Sequence, residues 1–382
     1  MNLLIISDYL PKKNNPIAGN FVTYQASQLK ESYDKVTIVH LVPLGKNDSP
    51  AISVDGVDIK SESYISLPQV SNLKFINKII YRFNILSYAL KMYFVLKRIG
   101  CYRSNNVNLR VLVHGHRVSA PGLSFLHKLL KKFKSIVVIH GEDPFLQSNS
   151  YVYEKKFLSC YDRVVLVGSS LMSHLTQIVG GIKESIVVHN GSVKFDFLES
   201  KSDCKKIKIV SVCNLNSNKK IDQVLRTLST IDNNKSWEYK IIGDGPECKK
   251  LKLLTNELGL ASKVSFLGRL SHYDTHKNIM MSDIFVLPSI LESFGIVYVE
   301  AMSYGVVPIG CVGTGAEEII ENDHNGYLVE KNCDKQLKEK LTLLINHESV
   351  RLKIAKRAIE RSLYFTWERN VKEINRIFNE IE

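Results

Sequence analysis

DIFVLPSILESFGIVYVEAMSYG, residues 283–305, reads as a strand, a sharp turn and a helix. Ile284 to Leu287 is a short apolar run of the kind a parallel strand buried on both faces shows, and Pro288 ends it because proline has no N–H to give a ladder. The helix is expected to start near Gly295 and stop at Gly305, with Ser293 as its N-cap. Glu292 then lies in the loop ahead of the helix and Glu300 inside it. A polar ligand at the carboxyl end of the strand would meet both carboxylates and the amides of Phe294 and Gly295, which attract anions and phosphate above all.

Outward from this stretch the same alternation repeats. Strands are expected at Leu3–Ser7, Val36–Val42, Arg110–His114, Ser135–Ile139, Arg163–Ser169 and Ser185–Val188, with residues 45–70 an irregular polar stretch. A polar segment from Glu199 to Lys206 reads as a linker. Further strands follow at Lys206–Val212, Tyr239–Ile242, Val264–Leu267 and Val306–Gly310, the first two leading toward helical patterns, the third to the turn Gly268-Arg269 and the last to a glycine-containing loop through Gly315. Strand and helix in alternation indicate α/β domains with parallel, doubly wound sheets. The division expected is 1–192, 193–363 and a last helix in 364–382, in which Val371, Ile374, Ile377 and Phe378 share one face.

The chain has 382 residues, 45% of them apolar, enough for two or three domains with ordinary cores. Seven cysteines are scattered singly with no Cys-x-x-Cys pair, a reduced and metal-free pattern. The start lacks the basic and apolar regions of a signal peptide, and no uninterrupted apolar run of about 18 residues occurs, so a cytoplasmic protein is expected. The formal charge of +13 is uneven: residues 63–141 hold thirteen basic side chains and no acidic one. Such a block points to an anionic partner surface, lipid headgroups or nucleic acid.

Within that block Lys74, Lys78 and Arg82 recur every four residues, with Phe75, Ile79, Ile80, Phe83 and Leu86 on the remaining arc. One reading is a helix packed on the sheet with a solvated basic face. The other is a helix lying on an anionic membrane, where each nearby basic group contributes roughly 1 kcal/mol. Nucleic acid is not expected, because the stretch fits no recognised reader module. His114 and His116 follow a strand, but no third ligand at fixed spacing accompanies them, so no metal site is read there. Gly19 would let a backbone come close to a ligand, or is a surface turn.

Glu292 and Glu300 stand in the string Pro-Ser-x-x-Glu-Ser-Phe-Gly-x-x-x-x-Glu-Ala-Met-x-x-Gly-x-x-Pro, which resembles the Glu-x7-Glu motif of retaining glycosyltransferases of family 4. The resemblance implies the GT-B arrangement, two Rossmann-like domains facing across a cleft, with the last helix crossing back to the first domain. It also implies roles. Glu300 would bind the donor's ribose hydroxyls, and Glu292 with the Phe294 and Gly295 amides would sit near the sugar and its phosphate. The family's turn Gly-Arg-Leu-x-x-x-Lys-Gly is similar to residues 213–220, where Lys219 matches the lysine that grips the diphosphate. Asn214 stands in place of the usual arginine and Lys220 in place of the usual glycine. His140 resembles the histidine that abuts the donor sugar, Arg269 follows a turn whose backbone faces the nucleobase, and Gly19 with Asn20 lies in the loop lining the acceptor side.

Together these imply retaining transfer of a hexose from a nucleotide sugar, UDP-sugar first, to a lipid-linked saccharide or glycan of a bacterial surface polysaccharide, on the inner face of the membrane. No Asp-x-Asp triplet occurs, and cationic groups can replace a metal ion, so no cofactor and no metal are expected in catalysis. The sequence gives no oligomeric state and leaves front-face attack and a covalent adduct on Glu292 both open. Rival readings are an epimerase or phosphorylase of the same architecture and a non-catalytic sugar-nucleotide-binding protein, the last raised by Asn214.

Overall fold

The computed structural model describes residues 1–11, 19–45, 53–70, 73–99, 109–115, 118–130, 133–141, 157–172, 175, 185–197, 206–231 and 236–381. The chain divides into two compact units: Met1–Asn190 together with Trp367–Glu382, and Gly191–Thr366.

The first unit is built on seven parallel strands: β1 (Asn2–Ser7), β2 (Lys35–Pro43), β3 (Val57–Tyr64), β4 (Leu109–His114), β5 (Lys134–Ile139), β6 (Arg163–Leu166) and β7 (Ser185–Val187). They lie in the order β3-β2-β1-β4-β5-β6-β7. Ile5 of β1 sits level with Ile38 on one side and Leu112 on the other, and all three are fully buried. Runs such as Leu-Leu-Ile-Ile form these strands because a sheet covered on both faces gives no strand a wet side. β3 corrects the reading of 45–70 as irregular. Its sequence, VDIKSESY, is polar and mostly half-buried because it is an edge strand paired on one side only, to β2.

Three helices of this unit are α1 (Asn20–Leu29), α2 (Lys74–Arg98) and α3 (Ser119–Leu130). α2 is 25 residues long and, by length and composition alone, apolar enough to cross a bilayer. Its packing argues otherwise: Ile85, Tyr88, Ala89, Met92, Val95 and Leu96 are buried within the unit, and Lys91 and Arg98 both pair with Glu62 of β3. Only one of its two apolar arcs goes inward. Phe75, Ile79, Phe83, Leu86, Leu90 and Phe94 are exposed, Phe75 by 76%. Of the apolar arc read beside Lys74, Lys78 and Arg82, Phe75, Ile79, Phe83 and Leu86 are exposed while Ile80 is buried.

The extended chain ahead of α2 is strapped along it. Asn84 donates to the Leu67 carbonyl and accepts from its amide, at 3.0 and 2.8 Å, and Asn77 does the same at Val70, at 2.8 Å twice. Seven helical residues advance about 10.5 Å and three extended residues about 10 Å, so the two clamps stay in register.

The second unit has six parallel strands: β8 (Ile207–Val212), β9 (Trp237–Ile242), β10 (Val264–Gly268), β11 (Ile284–Val286), β12 (Val307–Cys311) and β13 (Tyr327–Val329), in the order β10-β9-β8-β11-β12-β13. Helices α4 (Ile221–Ser229), α5 (Cys248–Glu257), α6 (His272–Met280), α7 (Ile296–Ser303), α8 (Ala316–Ile319), α9 (Asp334–Asn346) and α10 (Glu348–Ser362) accompany it. α11 (Trp367–Glu380) returns to the first unit, where Trp367, Val371, Ile374, Ile377 and Phe378 are buried.

Both sheets reverse direction beside their first strand, between β1 and β4 and between β8 and β11. A ligand crevice in an open parallel sheet forms at the carboxyl ends of strands flanking such a reversal.

Candidate active site

In the second unit the reversal brings the turn after β8 against the turn after β11. Ile290 donates its amide to the Asn218 carbonyl at 2.9 Å, and the Ser289 hydroxyl donates to the Leu291 carbonyl at 2.8 Å. On the far side Gly315 donates to the Glu292 carbonyl at 2.8 Å, and a Cβ on Gly315 would come within 2.5 Å of the Phe294 backbone. Glu292 is therefore held from both directions.

α7 begins where Gly295 turns left-handed, at φ 84°, and a Cβ there would lie 2.6 Å from the Tyr298 ring. Gly295 is the N-cap, which corrects the assignment of Ser293: no side chain caps this helix, and the left-handed turn that only glycine adopts cheaply sets its start. The amides that helix geometry leaves without an intrahelical partner are thus those of Gly295, Ile296 and Val297, so the expected Gly295 amide is among them while that of Phe294 precedes the cap.

Lys219 ends a short 3₁₀ turn, Ser217–Lys219, and its Nζ lies 2.6 Å from Glu292 Oε2, both side chains being mostly buried. The next residue, Lys220, is left-handed at φ 54° and caps α4. Its backbone shows why the resembling family has glycine there: any side chain in that conformation is strained by roughly 1 kcal/mol or more. Burial pushes the thiol of Cys213, at the start of this turn, up to about 12, opposed by Lys219 and reinforced by Glu292. Gly243, at φ 127°, lets the turn after β9 press on this one, since a Cβ would lie 1.8 Å from the Cys213 carbonyl oxygen. Asn214 and Arg269 are exposed, Arg269 just beyond β10.

Glu300 faces α6. Its Oε1 lies 3.6 Å from His272 Nε2 and 3.5 Å from His276 Nε2. Burial pushes its carboxyl up, but hydrogen bonding and charge from His272 and His276 outweigh this and bring it down to about 2, so Glu300 is ionised at neutral pH. The sequence reading missed both histidines; the available signal was a His-x3-His spacing that puts two imidazoles on one helix face.

In the first unit His140 follows β5, its ring stacked on Phe21 at 4.0 Å between centroids and its Nε2 2.8 Å from His114 Nδ1. Burial lowers the His114 pKa to about 3, so His114 is neutral and fixes the His140 ring without repelling it. Gly19, left-handed at φ 83°, is buried against this chain's own backbone: a Cβ would lie 2.7 Å from the Leu10 amide nitrogen. The close approach it permits is internal. Asn20 opens α1 beside it. Lys78 and Arg82 are exposed on α2, on which Lys74 is the first residue. His116 lies outside the described residues.

Residues 193–361 match the family Glycosyl transferases group 1. The chain is 29% identical over 292 residues to N-acetyl-alpha-D-glucosaminyl L-malate synthase of Bacillus anthracis, covering 72% of this chain and 75% of that one. It is 24% identical over 241 residues to a putative colanic acid biosynthesis glycosyltransferase of Escherichia coli, covering 60% and 59%. Among solved structures, Anabaena HepE in complex with UDP superimposes with a TM-score of 0.74 at 16% identity, covering 99% of this chain and 100% of that one. The chain thus has the two Rossmann-like units of the GT-B fold, and its second unit is similar to glycosyl transferases group 1.

Proposed function

We propose that the protein is a retaining hexosyltransferase that takes its sugar from a UDP-sugar and delivers it to a lipid-linked saccharide of a bacterial surface polysaccharide. The observation that carries this reading is the Lys219–Glu292 pair at the reversal of the second sheet, beside the start of α7. In retaining transfer a diphosphate departs as charge develops on it, and fixed cations aimed at that charge are worth several kcal/mol. Lys219 offsets the leaving phosphate and Glu292 holds Lys219 in place and lies near the sugar. The α7 amides add partial positive charge. Glu300 binds the ribose diol through its ionised carboxylate, and His140 hydrogen-bonds a sugar hydroxyl. This division of labour assigns the diphosphate's charge to side chains, so the chemical step needs no metal ion. Lys220, adjacent to Lys219, adds charge where Asn214 supplies none.

The acceptor reading rests on α2. Its exposed apolar arc runs beside Lys78 and Arg82 in a segment without acids. A helix with that pattern lies in the headgroup region of an anionic membrane, which brings a cytoplasmic enzyme to the inner face where lipid-linked glycans are extended.

Calorimetry across UDP-, GDP- and ADP-sugars tests the donor assignment, with UDP-sugar expected to bind and Glu300→Ala expected to weaken it at least tenfold. Normal affinity in Glu300→Ala removes the ribose role. Flotation with phosphatidylglycerol vesicles at low salt tests the membrane: Lys78→Glu with Arg82→Glu, or Phe75→Ser with Phe83→Ser, is expected to abolish binding. Should both pairs bind like the parent, the membrane assignment fails.

A further inference from the structure

His272 and His276 lie one turn apart on α6, and their Nε2 atoms are 3.1 Å from each other. With Glu300 Oε1 at 3.6 and 3.5 Å, three ligand atoms form a nearly equilateral triangle. A point equidistant from them lies ~2 Å from each, the length of Zn–N and Zn–O bonds, and the edges approach the ~3.3 Å between ligands of a tetrahedral zinc.

The surroundings set the imidazoles for this. The Tyr304 hydroxyl oxygen accepts from the Phe195 amide at 2.8 Å, and its proton is directed toward the Phe195 carbonyl at 3.4 Å. His276 Nδ1 lies 3.0 Å from that oxygen, within reach to donate to it in the Nδ1–H tautomer. This leaves the His276 Nε2 lone pair facing His272 and Glu300. A hydrogen-bond partner on the other ring nitrogen, fixing tautomer and ring orientation, is the usual companion of a metal-binding histidine. The Phe195 ring stands edge-on to both imidazoles, at 5.4 and 5.0 Å, and His276 is wholly buried.

We propose that His272, His276 and Glu300 bind Zn²⁺, and that the ion inhibits the enzyme by taking the Glu300 carboxylate from the donor's ribose. The second half rests on the ribose role proposed above; the first does not. One Zn²⁺ enters a face of two imidazole nitrogens and one carboxylate: the proton between the two Nε2 atoms moves through solvent to Nδ1 of His272, each Nε2 gives its lone pair to the ion, and the fourth position is left to water. Zinc here is an effector outside the chemical step.

The test is calorimetry of the full chain with ZnCl₂ alone, then with UDP at zinc saturation. The parent is expected to bind one equivalent that His272→Gln weakens at least tenfold, with thermal unfolding of the variant unchanged to show that this mostly buried position still folds. Co²⁺ is expected to give the visible absorption of a tetrahedral site in the parent and lose it in the variant. Equal zinc binding in parent and His272→Gln, as the free thiols of Cys213 or Cys333 would produce, overturns the site. Zinc binding at the site with unchanged UDP affinity overturns the inhibition alone. If Glu300→Ala keeps UDP affinity but loses zinc, the ribose role fails while the metal site stands.

Discussion

Lys219 and Glu292 form one unit at the residue scale, because each charge is mostly removed from water and has the other as its counter-ion. Lys219→Met is expected to reduce kcat by roughly 10²–10³-fold, as for loss of one preorganised transition-state donor, with the effect non-additive in a cycle with Glu292→Gln. Additive losses in steady-state kinetics would separate the two residues. Lys220 carries strain that its neighbour does not. Lys220→Gly is expected to raise stability by roughly 0.5–1 kcal/mol in urea unfolding, while donor affinity falls if its charge serves the phosphate. His114 gives a pH dependence. Folded, it takes a proton only near pH 3; unfolded, it does so near the ordinary 6.5. The unfolded chain therefore binds more protons as pH falls from 6.5 toward 3, and stability drops through that window, by roughly 1 kcal/mol between pH 6.5 and 5.5. His114→Gln is expected to flatten that slope. The carboxylates and Lys219 were legible because they share short, spaced strings with a known pattern. The contact of His272 and His276 with Glu300 was not, since it joins residues more than twenty positions apart that meet only when α6 packs on α7.

Element by element, the strands that form both sheet centres were readable as unbroken apolar runs, whereas β3 was not. An edge strand half exposed to water needs no apolar pattern, and VDIKSESY has little of one. The cap of α7 misled for a related reason: Ser293 has the right chemistry, but Gly295 has the backbone, and packing against Tyr298 decides between them. α2 shows the limit of periodicity, which reveals that a helix has apolar arcs but not which one meets the core. Its strap offers a direct check. Asn84→Ala removes both clamps at Leu67 and is expected to accelerate hydrogen exchange of the Leu67 amide at least tenfold, with Val70, held by Asn77, little changed. Equal acceleration at both would show that the strap opens as one piece.

For the molecule as a whole, α11 matters more than its length suggests. Besides its apolar face, Asn370 bonds Gln25 at 2.6 Å and the His189 carbonyl at 2.8 Å, while Asn379 accepts from Arg110 at 2.6 Å. Burying its five large apolar side chains is worth on the order of 10 kcal/mol, comparable to the net stability of an entire domain. A chain ended after Thr366 is therefore expected to lose the cooperative unfolding of the first unit while keeping that of the second, readable by hydrogen exchange resolved along the sequence. Protection retained in β1 and β4 would contradict this. The same helix inverts the order of assembly. Strands β1 to β7 leave the ribosome first, but the helix that completes their core follows all of the second unit in the chain. The unit whose strands are made before those of its neighbour is thus finished after it, and must wait, with its basic helix made and its core open, for α11 to arrive.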